Sequence, residues 1–160
     1  MPGITAVRQG RAFTAYTRMT IPVNRERWIA GLTTNKFWIL LGRRVSVDRR
    51  GIDITVYEGP FTETPAGLSL PIMNLNRAMA DTLSTVTLLD HVSPLLGGTE
   101  LSRCLMPGGT HIGYRVNTET LTSTPWLYDK QSVYALRIRN LREFGTPTIV
   151  HIAWIWEERN

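Results

Sequence analysis

The stretch that decides the fold is Ser132–Glu157, with the sequence SVYALRIRNLREFGTPTIVHIAWIWE. Its first half alternates, with Tyr134, Leu136 and Ile138 on one side and smaller or basic residues on the other. A period of two places successive side chains on opposite faces of a β-strand. Residues 142–147 are rich in turn formers. The stretch therefore predicts two long strands joined by a short turn, as a hairpin.

The second strand, Thr148–Trp156, is apolar on both of its sides. One side carries Val150, Ile152, Trp154 and Trp156, and the other carries Ile149, His151, Ala153 and Ile155. Two-sided apolarity is typical of a central strand covered on both faces, or of a strand whose outer face meets another chain. The aromatic and arginine residues of the chain are also types enriched at interface cores. A well-filled core would account equally well for the apolar residues on both sides of the strand and for the many aromatic residues.

Length and composition favour one folded domain of 160 residues with no membrane partner. No apolar run approaches the roughly 18 residues of a membrane span, and the first residues lack the apolar segment of a secretory signal. A single cysteine, Cys104, excludes an internal disulfide. We expect a chain that is made and folded in a reducing cytosol and that uses no cofactor.

Basic charge is concentrated in the first third of the chain. Residues 1–50 hold ten basic and two acidic side chains, whereas residues 51–160 hold eight basic and eleven acidic ones. This asymmetry fits an acidic partner, and a solvated basic face explains it equally well. Because 16 of the 18 basic residues are arginine, which suits fixed bidentate contacts, an acidic protein surface ranks above nucleic acid.

Alternating segments along the rest of the chain predict about eight strands and no long helix. Residues 1–12 are interpreted as an extended arm, and residues 13–160 as a single β-domain. Phe37–Val47 and Ile52–Tyr57 are expected to form a hairpin with a basic tip, and residues 121–129 a loop. The chain is therefore predicted to be all-β, as an antiparallel sandwich or jelly roll.

The sequence gives only weak evidence for a catalytic site. His151 lies within a strand and is best read as a packed or interface histidine. Asp90 and His91 are neighbours in a strand, which would point their side chains to opposite faces. Cys104 lies in an alternating segment and reads as a small core residue. Asp53, Glu58 and Glu63 could supply the pair of carboxylates that a glycoside hydrolase needs, but their spacing does not specify such a pair.

Five short motifs occur in an order that resembles a family of small tailed-phage virion proteins. They are Val56-Tyr57-Glu58, Asn74-Leu75-Asn76-Arg77, Leu105-Met106-Pro107-Gly108-Gly109, Arg137-Ile138-Arg139-Asn140-Leu141 and Trp154-Ile155-Trp156-Glu157. The family looks like capsid decoration, or cement, proteins. The resemblance implies a jelly-roll sandwich, a homotrimer on the capsid exterior, binding to the major capsid protein and no enzymatic activity.

This resemblance places the candidate contacts. Capsid contacts are expected from the basic arm and the predicted hairpin, through Arg8, Arg11, Arg43, Arg44, Arg49 and Arg50. Contacts between copies are expected from Ile149, His151, Ile155, Trp126 and Tyr128. The alternative is a tail or fibre module that binds a receptor or carbohydrate through aromatics on exposed loops, namely Trp126, Tyr128 and Tyr114.

Overall fold

A computed structural model describes residues 4–48, 51–106 and 126–160. Nearly every element in them is a β-strand, as the alternating sequence predicts. The elements are α1 (Ile4–Arg8), β1 (Ala12–Ile21), β2 (Glu26–Leu32), β3 (Phe37–Val47), β4 (Ile52–Glu58), β5 (Leu68–Ser69), β6 (Ile72–Asn74), a 3-10 turn (Arg77–Met79), β7 (Thr87–Val92), β8 (Thr99–Met106), β9 (Trp126–Tyr128), β10 (Val133–Asn140) and β11 (Thr148–Arg159).

The strands form two antiparallel sheets packed against each other, which confirms the all-β sandwich. One sheet has five strands in the order β6-β1-β11-β3-β9, and the other has six in the order β5-β7-β2-β10-β4-β8. The core between them is apolar and rich in aromatic rings. Trp38 is one of these rings, with centroids 4.7 Å from Tyr128 and 6.0 Å from Trp156.

The predicted hairpin of β10 with β11 is wrong, although both strands and their faces are confirmed. Strand β10 pairs with β2 and β4, whereas β11 pairs with β1 and β3 in the other sheet. The connection 141–147 therefore crosses from one sheet to the other. The physical reason is that each strand turns its larger apolar side into the same core, from opposite layers. Ile138 and Ile152 are both fully buried there.

The predicted hairpin of β3 with β4 is wrong for the same reason. Strand β3 pairs with β11 and β9 in the five-stranded sheet, and β4 pairs with β10 and β8 in the six-stranded sheet. Both strands bury an apolar side in the inter-sheet core, from opposite layers. The predicted basic tip, Arg49 and Arg50, lies outside the described residues.

A β-bulge in β3 reverses the expected faces of its first half. The sequence predicts Ile39 and Leu41 pointing inward, but Trp38 and Leu40 are the buried residues there. The register against β11 shifts between Ile155 and Trp156, so one extra residue of β3 is accommodated and the alternation changes phase. Beyond the bulge β3 keeps the expected phase, so Arg43 points inward with Val45 and Val47 and is only 5% exposed.

The N-terminal segment is not fully extended as predicted, because residues Ile4–Arg8 form a helical turn. Within this turn the side chain of Ala6 is buried. The turn ends at Gly10, whose φ of 67° is readily adopted by glycine. The amide of Asn74 donates to the Gly10 carbonyl at 2.9 Å. A helix this short is stable only when it is docked, and these contacts dock it on the sandwich.

Part of the predicted loop 121–129 is strand β9 (Trp126–Tyr128), which pairs with β3. Its pattern of one exposed residue between two more buried ones is too short to stand out in the sequence. The predicted turn at residues 107–110 and strand at residues 111–118 lie outside the described residues.

Candidate functional site

The solvent side of the five-stranded sheet carries apolar residues on several neighbouring strands. Its centre is the outer side of β11, and we call it the β11 face. It consists of Thr14, Tyr16, Arg18, Gly42, Arg44, Met73, Leu127, Ile149, His151, Ala153 and Ile155, which the strand registers place on one side of the sheet. The four β11 residues are half-buried, so the sheet leaves each of them partly open to solvent.

The smallest residues of the β11 face lie next to each other on β11 and β3, and we call this part of the surface the trough. Its floor holds Ala153 and Gly42, and a Cβ atom added at Gly42 would meet open space. Larger side chains stand higher on either side: Tyr16 is 49% exposed, Met73 48% and Leu127 63%. Exposed apolar residues that occur singly need no explanation, but neighbours on one sheet face mark a surface suited to a protein partner.

Polar groups sit within this apolar surface. The hydroxyl of Tyr16 lies 2.8 Å from Nδ1 of His151, which bridges β1 and β11. Arg18 lies opposite His151 and Arg44 lies opposite Ala153, and both arginines are exposed. The centre of the β11 face therefore combines apolar floor with two cations.

The two acidic residues at the ends of the β11 face are already bonded within the chain. Asp48 accepts the backbone N–H of Ile149 at 2.7 Å. Glu157 is 4% exposed and lies 3.4 Å from Arg11 and 2.7 Å from Arg159. The hydrogen bond to Glu157 raises the pKa of Arg159, with a further electrostatic contribution from the same carboxylate. The exposed charge on the β11 face is accordingly positive.

Three of the five predicted contacts between copies share this surface. Ile149, His151 and Ile155 lie in one row along β11. The other two do not, since Tyr128 is buried in the core with its ring 4.0 Å from that of Tyr134. Trp126 is half-buried and packs against the same core. The side chain of β9 that reaches solvent is Leu127, which lies between them.

The predicted capsid contacts are not gathered on one surface. Arg44 is exposed on the β11 face, and Arg8 is exposed at the end of α1. Arg43 is buried opposite Trp154 and lines a cavity of about 30 Å³ between the sheets, which removes it from any surface contact. Arg11 is half-buried and bonded to Glu157 and Gln9. Arg49 and Arg50 lie outside the described residues.

Sequence reasoning missed Tyr16, Met73 and Leu127 as members of the surface. Each belongs to a different strand, and their proximity depends on the pairings of β1 with β6 and of β3 with β9. The alternation of β1 placed Tyr16 on its outer side. No local pattern states which strand lies next to it.

The charged cluster on the outer side of the six-stranded sheet is structural. Asp53 is 1% exposed and accepts two bonds of 2.8 Å from Arg103. These bonds raise the pKa of Arg103. Arg137 lies 3.7 Å from the same carboxylate and its guanidinium stacks near the rings of Trp28 and Tyr57. The carboxylate is thus neutralised in place and holds strands β4, β8 and β10 together.

The acid–base reading of Asp90 and His91 also becomes a structural one. A φ of 56° at His91 brings Nδ1 to 3.6 Å from the Asp90 carboxylate, so the two side chains are not on opposite sides as expected. That carboxylate, however, is buried and accepts the Thr17 hydroxyl at 2.9 Å. Asp90 therefore tethers β7 to β1 across the two sheets.

Other kinds of site find little support. Within residues 4–48, 51–106 and 126–160, no group of three His, Cys, Asp or Glu side chains is placed to hold a metal ion. Over the same ranges, no helix combines the length and apolarity of a membrane span. Cys104 packs against the inter-sheet core, as predicted for a small core residue.

An open cleft at one end of the sandwich is lined by Leu32, Thr33, Thr34, Asn35, Thr85, Gln131, Ser132 and Val133. Its hydroxyls are bonded within the chain. Thr33 donates to the Asp129 carbonyl at 2.6 Å, and Thr34 donates to the Thr85 carbonyl at 3.2 Å. The threonine hydroxyls of the cleft are therefore used within the fold.

No protein-family model and no curated protein sequence matches this chain.

Proposed function

We propose that this chain is a non-enzymatic structural protein of a phage virion, which binds the outside of the capsid as an oligomer and stabilises the shell by bridging major capsid protein subunits. The single observation that carries the proposal is the β11 face. It presents half-buried Ile149 and Ile155 together with the more exposed Tyr16, Met73 and Leu127. Such a surface supports association with protein rather than chemistry on a small molecule.

The size of the surface suits a protein contact. Five strands spaced about 4.8 Å apart span roughly 20 Å, and β11 extends it along its length. A specific interface needs about 800 Å² on each partner. A sheet of this width, with a trough flanked by larger side chains, offers an area of that order.

A cement function also requires a body that does not deform, and the motifs behind the phage resemblance contribute to such a body. Asn76 caps the 3-10 turn by accepting the N–H of Ala78 at 3.1 Å. Asn140 is fully buried and donates to the Ile21 carbonyl at 3.0 Å. Glu58 accepts the hydroxyl of Tyr134 at 2.7 Å. The resemblance therefore concerns residues that build a sandwich, and the all-β sandwich is the fold class it implies.

The burial of two aromatic residues weakens the alternative of a tail or fibre module. It required Trp126 and Tyr128 on exposed loops, yet Tyr128 is buried and Trp126 is half-buried in strand β9. Tyr114 lies outside the described residues. The β11 face favours a protein partner over a sugar because its exposed residues come from paired strands and combine apolar side chains, such as Met73 and Leu127, with two arginines.

The test combines light scattering with binding to capsids assembled without this protein. The proposal expects an oligomer in solution, trimeric by the family resemblance, and co-sedimentation with the capsids in a fixed ratio. It also expects treated capsids to withstand a higher temperature than untreated ones. A monomer that neither sediments with capsids nor stabilises them would refute the proposal.

A further inference from the structure

The charges of the β11 face bear on how two copies meet. Arg18 and Arg44 are exposed near its centre, and the acidic side chains at its ends, Asp48 and Glu157, are already bonded within the chain. In a two-fold contact the same patch meets itself. Such a contact would bring four arginines into one interface, and like charges that face each other across an interface oppose association. The β11 face is therefore better matched to a different, acidic surface.

The chain carries an acidic apolar surface of its own, which we call the acidic corner. It consists of residues 61–63 and 96–101, which contain Glu63 and Glu100 and no basic residue. Both acids are exposed, together with Leu96 at 69% and Leu101 at 38%. The cation near Glu100, Arg103, is already bonded to Asp53. The two segments are adjacent, because the Thr62 N–H donates to the Leu96 carbonyl at 2.9 Å.

The acidic corner lies on the opposite side of the sandwich from the β11 face. Phe61 and Leu95 belong to a small apolar cluster with Trp28, Ala30 and Ala135. These last three residues are on the outer side of the six-stranded sheet, since their neighbours Ile29 and Leu136 belong to the inter-sheet core. The two surfaces of one copy therefore cannot meet each other, but those of two copies can.

We propose that the β11 face of one copy binds the acidic corner of the next copy, head to tail. The inference rests on the self-association in the proposed function and specifies its geometry. Arg18 and Arg44 meet the carboxylates of Glu63 and Glu100, while Leu96 and Leu101 cover the apolar trough. Because this contact joins two different patches, repeated copies form a ring when the rotation closes and an open chain when it does not.

Charge exchange tests the contact in the full chain. One variant carries Arg18→Glu and Arg44→Glu, a second carries Glu63→Arg and Glu100→Arg, and a third combines all four substitutions. Each two-site variant places like charges across the contact, so we expect at least a tenfold weaker association by sedimentation. The four-site variant restores opposite charges and should regain most of the loss.

A matched control reverses two acidic residues outside the acidic corner, Asp81 and Glu143, which are also exposed. The variant with Asp81→Arg and Glu143→Arg should associate as the natural chain does. Circular dichroism and the midpoint of thermal unfolding confirm that every variant is folded. Raising the salt concentration should weaken the natural contact, because exposed charge pairs are screened.

The outcomes separate this inference from the proposed function. If the natural chain is monomeric and ignores capsids, the proposed function fails. If it forms an oligomer whose mass is unchanged by Glu63→Arg with Glu100→Arg, the head-to-tail contact is wrong and a two-fold contact remains. If Arg18→Glu with Arg44→Glu abolishes capsid binding and leaves the oligomer intact, the shell and not a second copy covers the β11 face, and the inference is overturned.

Discussion

Thr85 and Glu158 are joined by three hydrogen bonds across the end of the sandwich. The Thr85 N–H donates to both carboxylate oxygens of Glu158 at 3.1 Å, and the Thr85 hydroxyl donates to Oε2 at 2.8 Å. The hydroxyl of Ser84 and the indole N–H of Trp156 donate to the same carboxylate. Glu158 is fully buried, so these donors replace its water. The C-terminal strand is thereby attached to the segment that leads into β7.

Replacing Glu158 with alanine should destabilise the fold by about 3 kcal/mol, because it leaves several buried donors without an acceptor. The free energy of unfolding from urea titration measures the loss. The control is Glu143→Ala, which removes an exposed carboxylate and should change stability by less than about 0.5 kcal/mol. Equal effects from the two substitutions would mean that the Glu158 contacts contribute nothing to stability.

Ile155→Lys and Ile152→Lys should separate the two sides of β11. Ile152 is fully buried between the sheets, so a lysine there places a charge in the core and should prevent folding. Ile155 is half-buried on the β11 face, where the lysine ammonium reaches solvent. We expect the Ile155 variant to keep its circular dichroism spectrum and to lose oligomer mass by light scattering. A folded Ile155 variant with unchanged mass would exclude that residue from the contact.

The faces of β10 and β11 were predictable, and their pairing partners were not. The alternation of β10 and β11 correctly placed Ile138 and Ile152 in the core, because a period of two is a local property. Pairing is a property of the whole sandwich, and β10 and β11, although consecutive, lie in opposite sheets. The β-bulge in β3 was also invisible in the sequence, and it placed Trp38 and Leu40 in the core instead of Ile39 and Leu41.

The candidate surface was predictable only along one strand. The outer row of β11, with Ile149 and Ile155, stood out because a half-exposed strand normally carries polar residues there. Tyr16 and Leu127 join this row only through strand registers that link residues more than 80 positions apart. The acidic corner likewise depends on a contact between residues 62 and 96. Long-range register is what the sequence pattern leaves undetermined.

Tyr134 should make stability depend on alkaline pH. Burial, together with the hydrogen bond to Glu58, raises its pKa from 10.0 to about 12. The phenol therefore stays protonated in the folded chain at a pH where the unfolded chain ionises. Its stabilising contribution is complete below pH 10 and is lost as the pH rises through about 12. Urea unfolding between pH 9 and roughly 12 measures the decline.

The matched variants for this titration are Tyr134→Phe and Tyr16→Phe. Tyr134→Phe removes the buried phenol and should flatten the alkaline decline, whereas Tyr16→Phe alters an exposed ring and should leave it. In the natural protein, the absorbance of tyrosinate should show one tyrosine that ionises at a higher pH than the others. This tyrosine should be missing in Tyr134→Phe. If a tyrosine with a raised pKa is still seen in Tyr134→Phe, the titration belongs to another residue.

Two strand glycines should respond oppositely to alanine. A Cβ at Gly31 would lie 2.5 Å from the Trp38 ring, so Gly31→Ala must displace this buried ring. We expect it to cost about 1–3 kcal/mol in the free energy of unfolding. A Cβ at Gly42 meets open space, so Gly42→Ala should be neutral or slightly stabilising, because glycine weakens a strand. Comparable losses at both positions would contradict the packing described here.

Gly42 also allows the trough of the β11 face to be filled without touching the core. Gly42→Phe should leave the midpoint of thermal unfolding within a few degrees, because its ring points to solvent beside Ile155. The same ring occupies the space that a partner would fill, so association should weaken by a larger factor than with Gly42→Ala. Sedimentation of the two variants measures the difference. If both associate as the natural chain does, the partner of the β11 face does not enter the trough, and the contact must lie on its flanks at Tyr16 or Leu127.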